Sequence, residues 1–190
     1  MFQRYRLWLL LFISLFFTAC AGSSKYMKPS KIMLTPTSEK ALVRVMRPSG
    51  LGYAINFNIW DGEKVIGNSV AKSQFDYLAD PGKHLFVAIA ENKSFVEAEL
   101  EAGKIYYLLT QVKMGLLKAR VGLVPVNKGS EFWDKVLEYE TKLNKLQPDT
   151  NALKTWEDAN KDGMKTILNE YEVKSKSSEQ WPRINLEDGR

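Results

Sequence analysis

Ser69 and His84 are the first residues in this sequence whose chemistry could support catalysis. The segment 67–71 reads GNSVA, which differs from the G-x-S-x-G nucleophile motif only by an alanine in place of the last glycine. That motif needs a turn from a strand into a helix, whereas this segment lies between predicted strands. His84 is the one imidazole of the chain, and its position at the start of a strand is more typical of a turn or surface histidine than of a general base. We therefore predict no catalytic triad.

Three glutamates at alternate positions form a second candidate site. Glu97, Glu99 and Glu101 would share one face of a strand, with neighbours about 6.6–7 Å apart. A glycosidase could use carboxylates at that separation. Any half-buried strand shows the same alternation, however, so we favour a solvent-exposed face.

A short acidic motif near the C-terminal end could bind calcium. Residues 158–163 read DANKDG, which matches the D-x-N-x-D-G opening of a calcium loop. The twelfth position holds Asn169 instead of glutamate, and Lys165 brings a positive charge close to the motif. The alternative is a helix end with an Asp-Gly turn. With one histidine and one cysteine, a His/Cys zinc site is excluded, and we predict neither a metal nor a cofactor, although calcium at this motif stays open.

Aromatic side chains recur along the predicted strands and could line a carbohydrate groove. They are Trp60, Phe75, Tyr77, Phe86, Phe95, Tyr106 and Tyr107. Alternating aromatic residues in strands more commonly fill the core of a sandwich, which is the interpretation that we favour.

The single cysteine follows an apolar segment near the N-terminus. Two arginines precede Leu7–Phe17, which is a run of eleven residues without charge. A helix of that length rises about 16 Å, roughly half of a bilayer core, so the pattern predicts a signal peptide over residues 1–19 rather than a membrane span. Phe17-Thr18-Ala19-Cys20 resembles the lipobox of bacterial lipoproteins. This resemblance implies that the Cys20 thiol is lipidated after cleavage.

Lipidation would give the chain a membrane partner, because two or three acyl chains anchor a protein almost irreversibly. Ala21, rather than aspartate, follows Cys20; by resemblance to Gram-negative sorting, this implies the outer membrane and a periplasmic location. Loss of two arginines with the signal peptide lowers the formal charge from +5 to +3. Residues 20–129 carry fifteen basic and nine acidic side chains, and residues 130–190 carry ten and thirteen. We expect an envelope protein or peptidoglycan as partner, and no nucleic acid.

Residues 41–127 show the alternation of β-strands. Ile55, Phe57 and Ile59 alternate with asparagines, and Asp61-Gly62 favours a hairpin turn. The other predicted strands are Ala41–Met46, Phe75–Tyr77, Leu85–Ala90, Ser94–Leu100, Lys104–Val112 and Arg120–Val126. Seven or eight short strands without helices between them predict an antiparallel β-sandwich or barrel, of which we favour the sandwich.

The segments on either side of the β region differ in pattern. Residues 20–40 mix Ser, Lys, Thr and Pro without periodicity, which predicts a flexible tether of about 25 Å. In residues 128–173, apolar residues recur at helical spacing and predict two or three helices, with breaks at 148–150 and near Asp162-Gly163. Residues 174–190 are polar and are predicted to be disordered. The predicted fold is thus mainly β with C-terminal helices, in the α+β class.

Turn motifs in the β region carry a family resemblance. Arg47-Pro48 follows the first strand, Pro81-Gly82-Lys83-His84 precedes a central one, and Gly103-Lys104-Ile105-Tyr106-Tyr107 opens a later one. This pattern resembles small bacterial lipoprotein β-domains of unknown function, and its Asp-Gly and Pro-Gly turns look like those of PEGA-type sandwich modules. The resemblance covers about residues 40–126. It implies a sandwich on a lipoprotein and carries over no catalytic residue.

These observations predict a non-enzymatic envelope lipoprotein with a structural role or a protein- or glycan-binding role. The alternative is an envelope hydrolase or ligand-binding module with a site in the β-domain loops. The helical region 128–173 has two possible roles. It docks on an open sheet face, which we favour, or it leaves the stripe around Trp156, Ile167 and Tyr171 exposed for a partner.

Overall fold

Two β-sheets and two helices make up the fold. The computed structural model describes residues 24–115, 119–177 and 180–190, so the predicted signal peptide and Cys20 lie outside the described residues. The strands are β1 (Met27–Pro29), β2 (Ala41–Arg47), β3 (Phe57–Asp61), β4 (Lys64–Ser69), β5 (Ser73–Ala79), β6 (Gly82–Ile89), β7 (Lys93–Leu100), β8 (Ile105–Met114), β9 (Ala119–Pro125), β10 (Asn144–Pro148) and β11 (Arg183–Ile184). The helices are α1 (Lys135–Lys142) and α2 (Thr150–Lys176), and Leu186–Asp188 form a 3₁₀ turn.

Both sheets contain parallel and antiparallel strands. Sheet A has the order β1-β10-β5-β2-β8-β9, and sheet B has the order β11-β7-β6-β3-β4. The parallel pairs are β2 with β8, β5 with β10 and β7 with β11. The α+β class, mainly β with two helices near the C-terminus, is confirmed. The prediction of an antiparallel arrangement is wrong, because β10 and β11 come from regions predicted to be helical or disordered, and β8 lies beside β2.

The two sheets pack face to face around one apolar core. Alternation along β2 places Val43 and Val45 in that core, in one cluster with Phe75 of sheet A and Phe86 of sheet B. Gly67 on β4 permits this close packing, because a Cβ at that position would lie 2.5 Å from the Phe75 ring. The glycine of the GNSVA segment is therefore explained by packing.

Helix α1 covers the outer face of sheet A. Its Val136 is fully buried in a cluster with Met46, Tyr107 and Leu109. The apolar pattern predicted a helix that continues to Leu146, but α1 ends at Lys142. The chain then becomes strand β10, because backbone pairing with β5 and β1 is available there.

Helix α2 covers the outer face of sheet B. Asp149 caps it by accepting a hydrogen bond of 3.3 Å from the backbone N–H of Ala152, and the helix continues through the break that was predicted near Asp162-Gly163. Leu153 and Met164 are buried against the sheet in a cluster that includes Trp60 and Phe95. The helical region thus docks on the β-sandwich, as favoured. Among the described residues, no helix combines the length and apolar character needed to cross a bilayer.

Two segments predicted to lack structure belong to the sheets. Within the predicted tether 20–40, Met27–Pro29 pair antiparallel with β10. Within the predicted disordered tail 174–190, β11 pairs with β7, and the backbones of Arg190 and Ile105 exchange hydrogen bonds of 2.8 and 3.0 Å. The structure differs from the predictions at these paired residues, because polar composition does not show that a segment's backbone has a pairing partner elsewhere in the chain.

Candidate functional site

His84 lies in a polar cluster at one end of the sandwich, where it meets side chains from both sheets. Its Nδ1 atom is 2.8 Å from Oδ2 of Asp61, at the end of β3. Tyr77 of sheet A donates its hydroxyl to the same oxygen at 2.9 Å. The Nε2 atom of His84 lies 2.8 Å from the backbone carbonyl of Asp80. We call Asp61, Tyr77 and His84 the His84 cluster.

The partners of His84 determine its protonation. A carboxylate and a backbone carbonyl both accept hydrogen bonds, so together they favour the imidazolium, the form in which both ring nitrogens donate. Burial lowers the pKa of His84, but the hydrogen bond and charge of Asp61, together with the Asp80 carbonyl, raise it by more, and the net pKa lies above its ordinary value. In the imidazolium form neither nitrogen can accept a proton. The arrangement joins the two sheets, because Asp61 is bonded both to His84 of sheet B and to Tyr77 of sheet A.

This geometry predicts a pH dependence of stability. Because the folded-state pKa of His84 is raised above 6.5, its stabilising contribution is complete below about pH 6.5 and is lost as the pH rises through the folded-state value. We expect the urea midpoint of unfolding to fall between about pH 6 and pH 8.5. The variant His84→Gln should show a flatter profile over that interval, since the chain has no other histidine. A wild-type midpoint that rises with pH would contradict the assignment.

The side chain of Ser69 is buried between strands and contacts β8. It ends strand β4, is buried, and its Oγ atom lies 2.5 Å from Oγ1 of Thr110 on β8. The strand-to-helix turn of a nucleophile elbow is absent there, since β4 leads directly to β5. The GNSVA segment and His84 therefore do not form a catalytic pair.

Glu97 is the one member of the glutamate series with several strong contacts. Tyr171 of α2 donates its hydroxyl to Oε1 of Glu97 at 2.6 Å, and the guanidinium of Arg183 on β11 binds Oε2. Burial raises the pKa of Glu97, but these hydrogen bonds and the Arg183 charge lower it by more, so the net pKa lies below its ordinary value. A glycosidase acid needs a raised pKa, so the carboxylate is suited to an ion pair. Glu101 instead pairs with Lys104 at 2.6 Å.

A polar cleft lies beside Glu97. It has a volume of about 280 Å³ and is lined by side chains of β6, β7, α2 and β11, namely Lys83, His84, Glu97, Ala98, Glu99, Tyr171 and Arg183. Both signs of charge are present, which suits a small polar ligand better than an apolar one.

The acidic motif at residues 158–163 lies inside helix α2. Successive helical residues are about 100° apart, so the first two potential ligands, Asp158 and Asn160, point to opposite sides. Asp158 pairs with Lys154 at 2.5 Å, and the side-chain amide of Asn160 donates to the carbonyl of Trp156 at 2.7 Å. The loop that a calcium ion needs is therefore not formed.

The aromatic residues of the strands are parts of apolar clusters or of the His84 cluster. Phe75, Phe86 and Tyr106 lie between the sheets, Trp60 and Phe95 lie under α2, and Tyr107 lies under α1. The prediction that they form core is confirmed.

A buried ionic network on the outer face of sheet A was not predicted. Arg44 of β2 binds both oxygens of Asp76 on β5, at 2.7 and 3.2 Å, and also binds Glu140 of α1. Tyr107 donates to Glu140 at 2.8 Å, and Leu34 donates its backbone N–H to Asp76 at 2.6 Å. We call these residues the Arg44 network. An arginine within the apolar strand ALVRVMR was a signal for a buried partner, but it does not identify that partner.

A second buried arginine holds the loop between β2 and β3. Arg47 donates to the backbone carbonyls of Leu51, Gly52 and Ile55 at 2.9, 2.8 and 2.6 Å. A fourth hydrogen bond of 3.3 Å reaches the carbonyl of Ser69. Burial lowers the pKa of Arg47. We call residues 48–56 the Arg47 loop; its conformation depends on Gly52, which has a φ of +61°.

Comparison with protein-family models, with curated proteins and with solved structures gives no match. The resemblance to lipoprotein β-domains therefore stays a prediction.

Proposed function

We propose that this chain is a lipid-anchored, non-enzymatic protein of the Gram-negative envelope, held in the outer membrane with its folded body in the periplasm. The observation that carries the proposal is the sequence Phe17-Thr18-Ala19-Cys20 at the end of an apolar run of eleven residues. A diacylglycerol on the Cys20 thiol would be the anchor. The body would serve as a structural element or as a binding module for an envelope protein or peptidoglycan.

The position of the first strand supports a body held close to the membrane. Strand β1 begins at Met27, seven residues after Cys20. An extended chain of seven residues spans at most about 25 Å. The lipid anchor would thus keep the sandwich next to the leaflet.

Three side chains with catalytic potential have contacts that support a non-enzymatic role. Both nitrogens of His84 take part in hydrogen bonds, the Ser69 hydroxyl is buried against Thr110, and Glu97 is paired with Arg183. A second candidate function, binding of a small polar ligand, is favoured by the cleft beside Glu97.

The replacement Cys20→Ser tests the anchor. We expect the variant to lose acylation and to accumulate as unprocessed or released protein, whereas the wild type fractionates with the outer membrane. Labelling with a radioactive fatty acid, followed by membrane fractionation, measures both properties. The matched variant Ala21→Asp should keep the acyl label but move to the inner membrane fraction. An equal acyl label on wild type and Cys20→Ser would contradict the proposal.

A further inference from the structure

The first described residues form a basic and partly apolar surface segment. Residues 24–34 read SKYMKPSKIML and contain three lysines but no acidic side chain. Ile32 and Leu34, although apolar, are 73% and 42% exposed. Clustered apolar side chains beside polar ones are typical of a surface that binds another protein or a membrane. We call residues 24–34 the N-terminal segment.

Hydrogen bonds on both sides of Ile32 fix the N-terminal segment in this exposed form. The backbone N–H of Ser30 donates to the carbonyl of Lys145 on β10 at 2.9 Å, and the Ser30 hydroxyl donates to the carbonyl of Ile32 at 2.9 Å. The backbone N–H of Leu34 donates to Asp76 on β5 at 2.6 Å. A segment that is already ordered loses little conformational entropy when it binds.

The exposed apolar side chains lie at the end of the sandwich where the described chain begins. Met27 pairs with Pro148, the last residue of β10. Ile32 and Leu34, together with Pro148, line a surface cavity of about 180 Å³. Ser24 comes only three residues before Met27. The chain that leads back to Cys20 therefore leaves the fold beside these side chains.

Two of the three lysines are available to an anionic partner. Lys28 pairs with Asp149 at 2.6 Å. Lys25 lies over the ring of Tyr26, at 5.0 Å from its centroid, and the Lys31 side chain is exposed. Neither of these two lysines forms an ion pair with a carboxylate within the part of the chain that the structure describes. An anionic surface would supply the missing counter-charge.

The distance to Cys20 selects a membrane as that partner. Ser24 is four residues after Cys20, so the connection between them spans at most about 14 Å. A lipid on Cys20, which is part of the function proposed above and on which this inference rests, would hold the N-terminal segment next to the leaflet. Its exposed side chains would then be within reach of the phospholipid headgroups.

We propose that the N-terminal segment contacts an anionic phospholipid surface. Ile32 and Leu34 would enter the boundary between headgroups and acyl chains, and Lys25 and Lys31 would attract the phosphate groups. A lipid anchor alone leaves the folded body free to turn about its connection. This second contact would orient the sandwich, with the β1 edge of sheet A towards the leaflet.

Vesicle sedimentation tests the contact without the lipid anchor. The chain from residue 20 onward with Cys20→Ser retains all described residues. We expect it to sediment with vesicles of phosphatidylglycerol and phosphatidylcholine, more weakly with phosphatidylcholine alone, and less at high salt. The double variant Ile32→Ser/Leu34→Ser should bind at least about tenfold more weakly, and Lys25→Gln and Lys31→Gln about fivefold each.

The Arg47 loop provides a matched apolar control. Its Leu51 and Tyr53 are 53% and 57% exposed. The loop follows Arg47, which pairs with Ser73 at the first residue of β5, and therefore lies at the opposite end of the sandwich from the start of the described chain. Leu51→Ser/Tyr53→Ser should leave vesicle binding unchanged. Lys161→Gln, which removes an exposed lysine of α2, should also leave it unchanged.

A fluorescent label tests the orientation. Cys20 is the only cysteine of the chain, so Ile32→Cys in the Cys20→Ser chain can be labelled specifically with a nitrobenzoxadiazole dye. The label at position 32 should brighten and shift to shorter wavelength on vesicles that contain phosphatidylglycerol, because it enters an apolar environment. The same label on Tyr53→Cys should not change.

Two kinds of result would overturn the contact. One is failure of the unacylated chain to sediment with anionic vesicles, and the other is an equal loss of binding in segment and control variants whose circular dichroism shows that they fold alike. Capture of an envelope protein through Ile32 without vesicle binding would also overturn it and assign the segment to a protein interface. Acylation of Cys20 is measured separately by the fatty-acid label, so failure of the contact and failure of the anchor are distinguishable.

Discussion

A chain truncated after Gln147 is expected not to fold. The truncation removes α2, β11 and the 3₁₀ turn. Trp60, Val87 and Phe95, all buried under α2, would become exposed on the outer face of sheet B. Burial of each such side chain contributes about 1.5–3 kcal/mol, and a domain has only about 5–15 kcal/mol in total. Circular dichroism and urea titration should show no cooperative transition.

Point variants on α2 give a graded version of the same test. Met164→Ala should lower the free energy of unfolding by about 2–5 kcal/mol, because Met164 is fully buried against sheet B. Val173→Ala is the matched control on the exposed side of the helix and should change it by less than about 0.5 kcal/mol. A truncated chain that unfolds cooperatively would show that α2 is dispensable for the fold. That result would favour the alternative in which the helical region binds a partner.

Removal of Asp76 is expected to have the largest effect of any single ionic substitution. In Asp76→Ala, Arg44 would lose two hydrogen bonds in a site where the Arg44 and Asp76 side chains are only 6% and 5% exposed. Burial lowers the pKa of Arg44, but Asp76 and Glu140 raise it by more, so the guanidinium stays charged. Removing one partner of a buried ion pair costs about 3–5 kcal/mol, and because Arg44 keeps its ion pair with Glu140 we expect a loss at the lower end of that range. Urea unfolding at neutral pH would measure this loss.

The exposed pair of Lys40 and Asp80 provides the control for that experiment. Their charged atoms are 2.6 Å apart, but the side chains are 40% and 77% exposed. Because solvent screens such a pair, Asp80→Ala should leave the urea midpoint almost unchanged. Equal midpoints for Asp76→Ala and Asp80→Ala would contradict the structural importance of the Arg44 network.

The strands with local signals could be predicted from the sequence. The apolar run Ala41–Met46 and the Asp61-Gly62 turn depend on neighbouring residues, and both agree with β2 and with the β3–β4 hairpin. Strand β10 could not be predicted, because its leucines also fit a helix, and only pairing with β5 determines its conformation. The two-residue strand β11 gives no periodic signal at all.

Candidate sites, too, could be predicted where they depend on neighbouring residues and could not be predicted where they depend on distant ones. The predicted lipobox is a local pattern, and its prediction therefore depends on neighbouring residues alone. In the Arg44 network, Glu140 lies 96 residues from Arg44 in the chain, and no spacing rule connects them. His84 was interpreted as an ordinary turn or surface residue, yet its side chain is only 11% exposed. It is bonded to Asp61, which Tyr77 of the other sheet also binds. The residue type shows which reactions the imidazole of His84 could support, but tertiary contacts determine its role.

The mass of the mature N-terminal peptide tests the central proposal most directly. Protein extracted from the outer membrane would be digested and its first peptide identified by mass spectrometry. We predict a chain that begins at Cys20, lacks residues 1–19 and carries a thioether-linked diacylglycerol on the Cys20 sulfur. An unmodified Cys20 thiol in membrane-extracted protein, or a mature chain that still carries residues 1–19, would contradict the proposal.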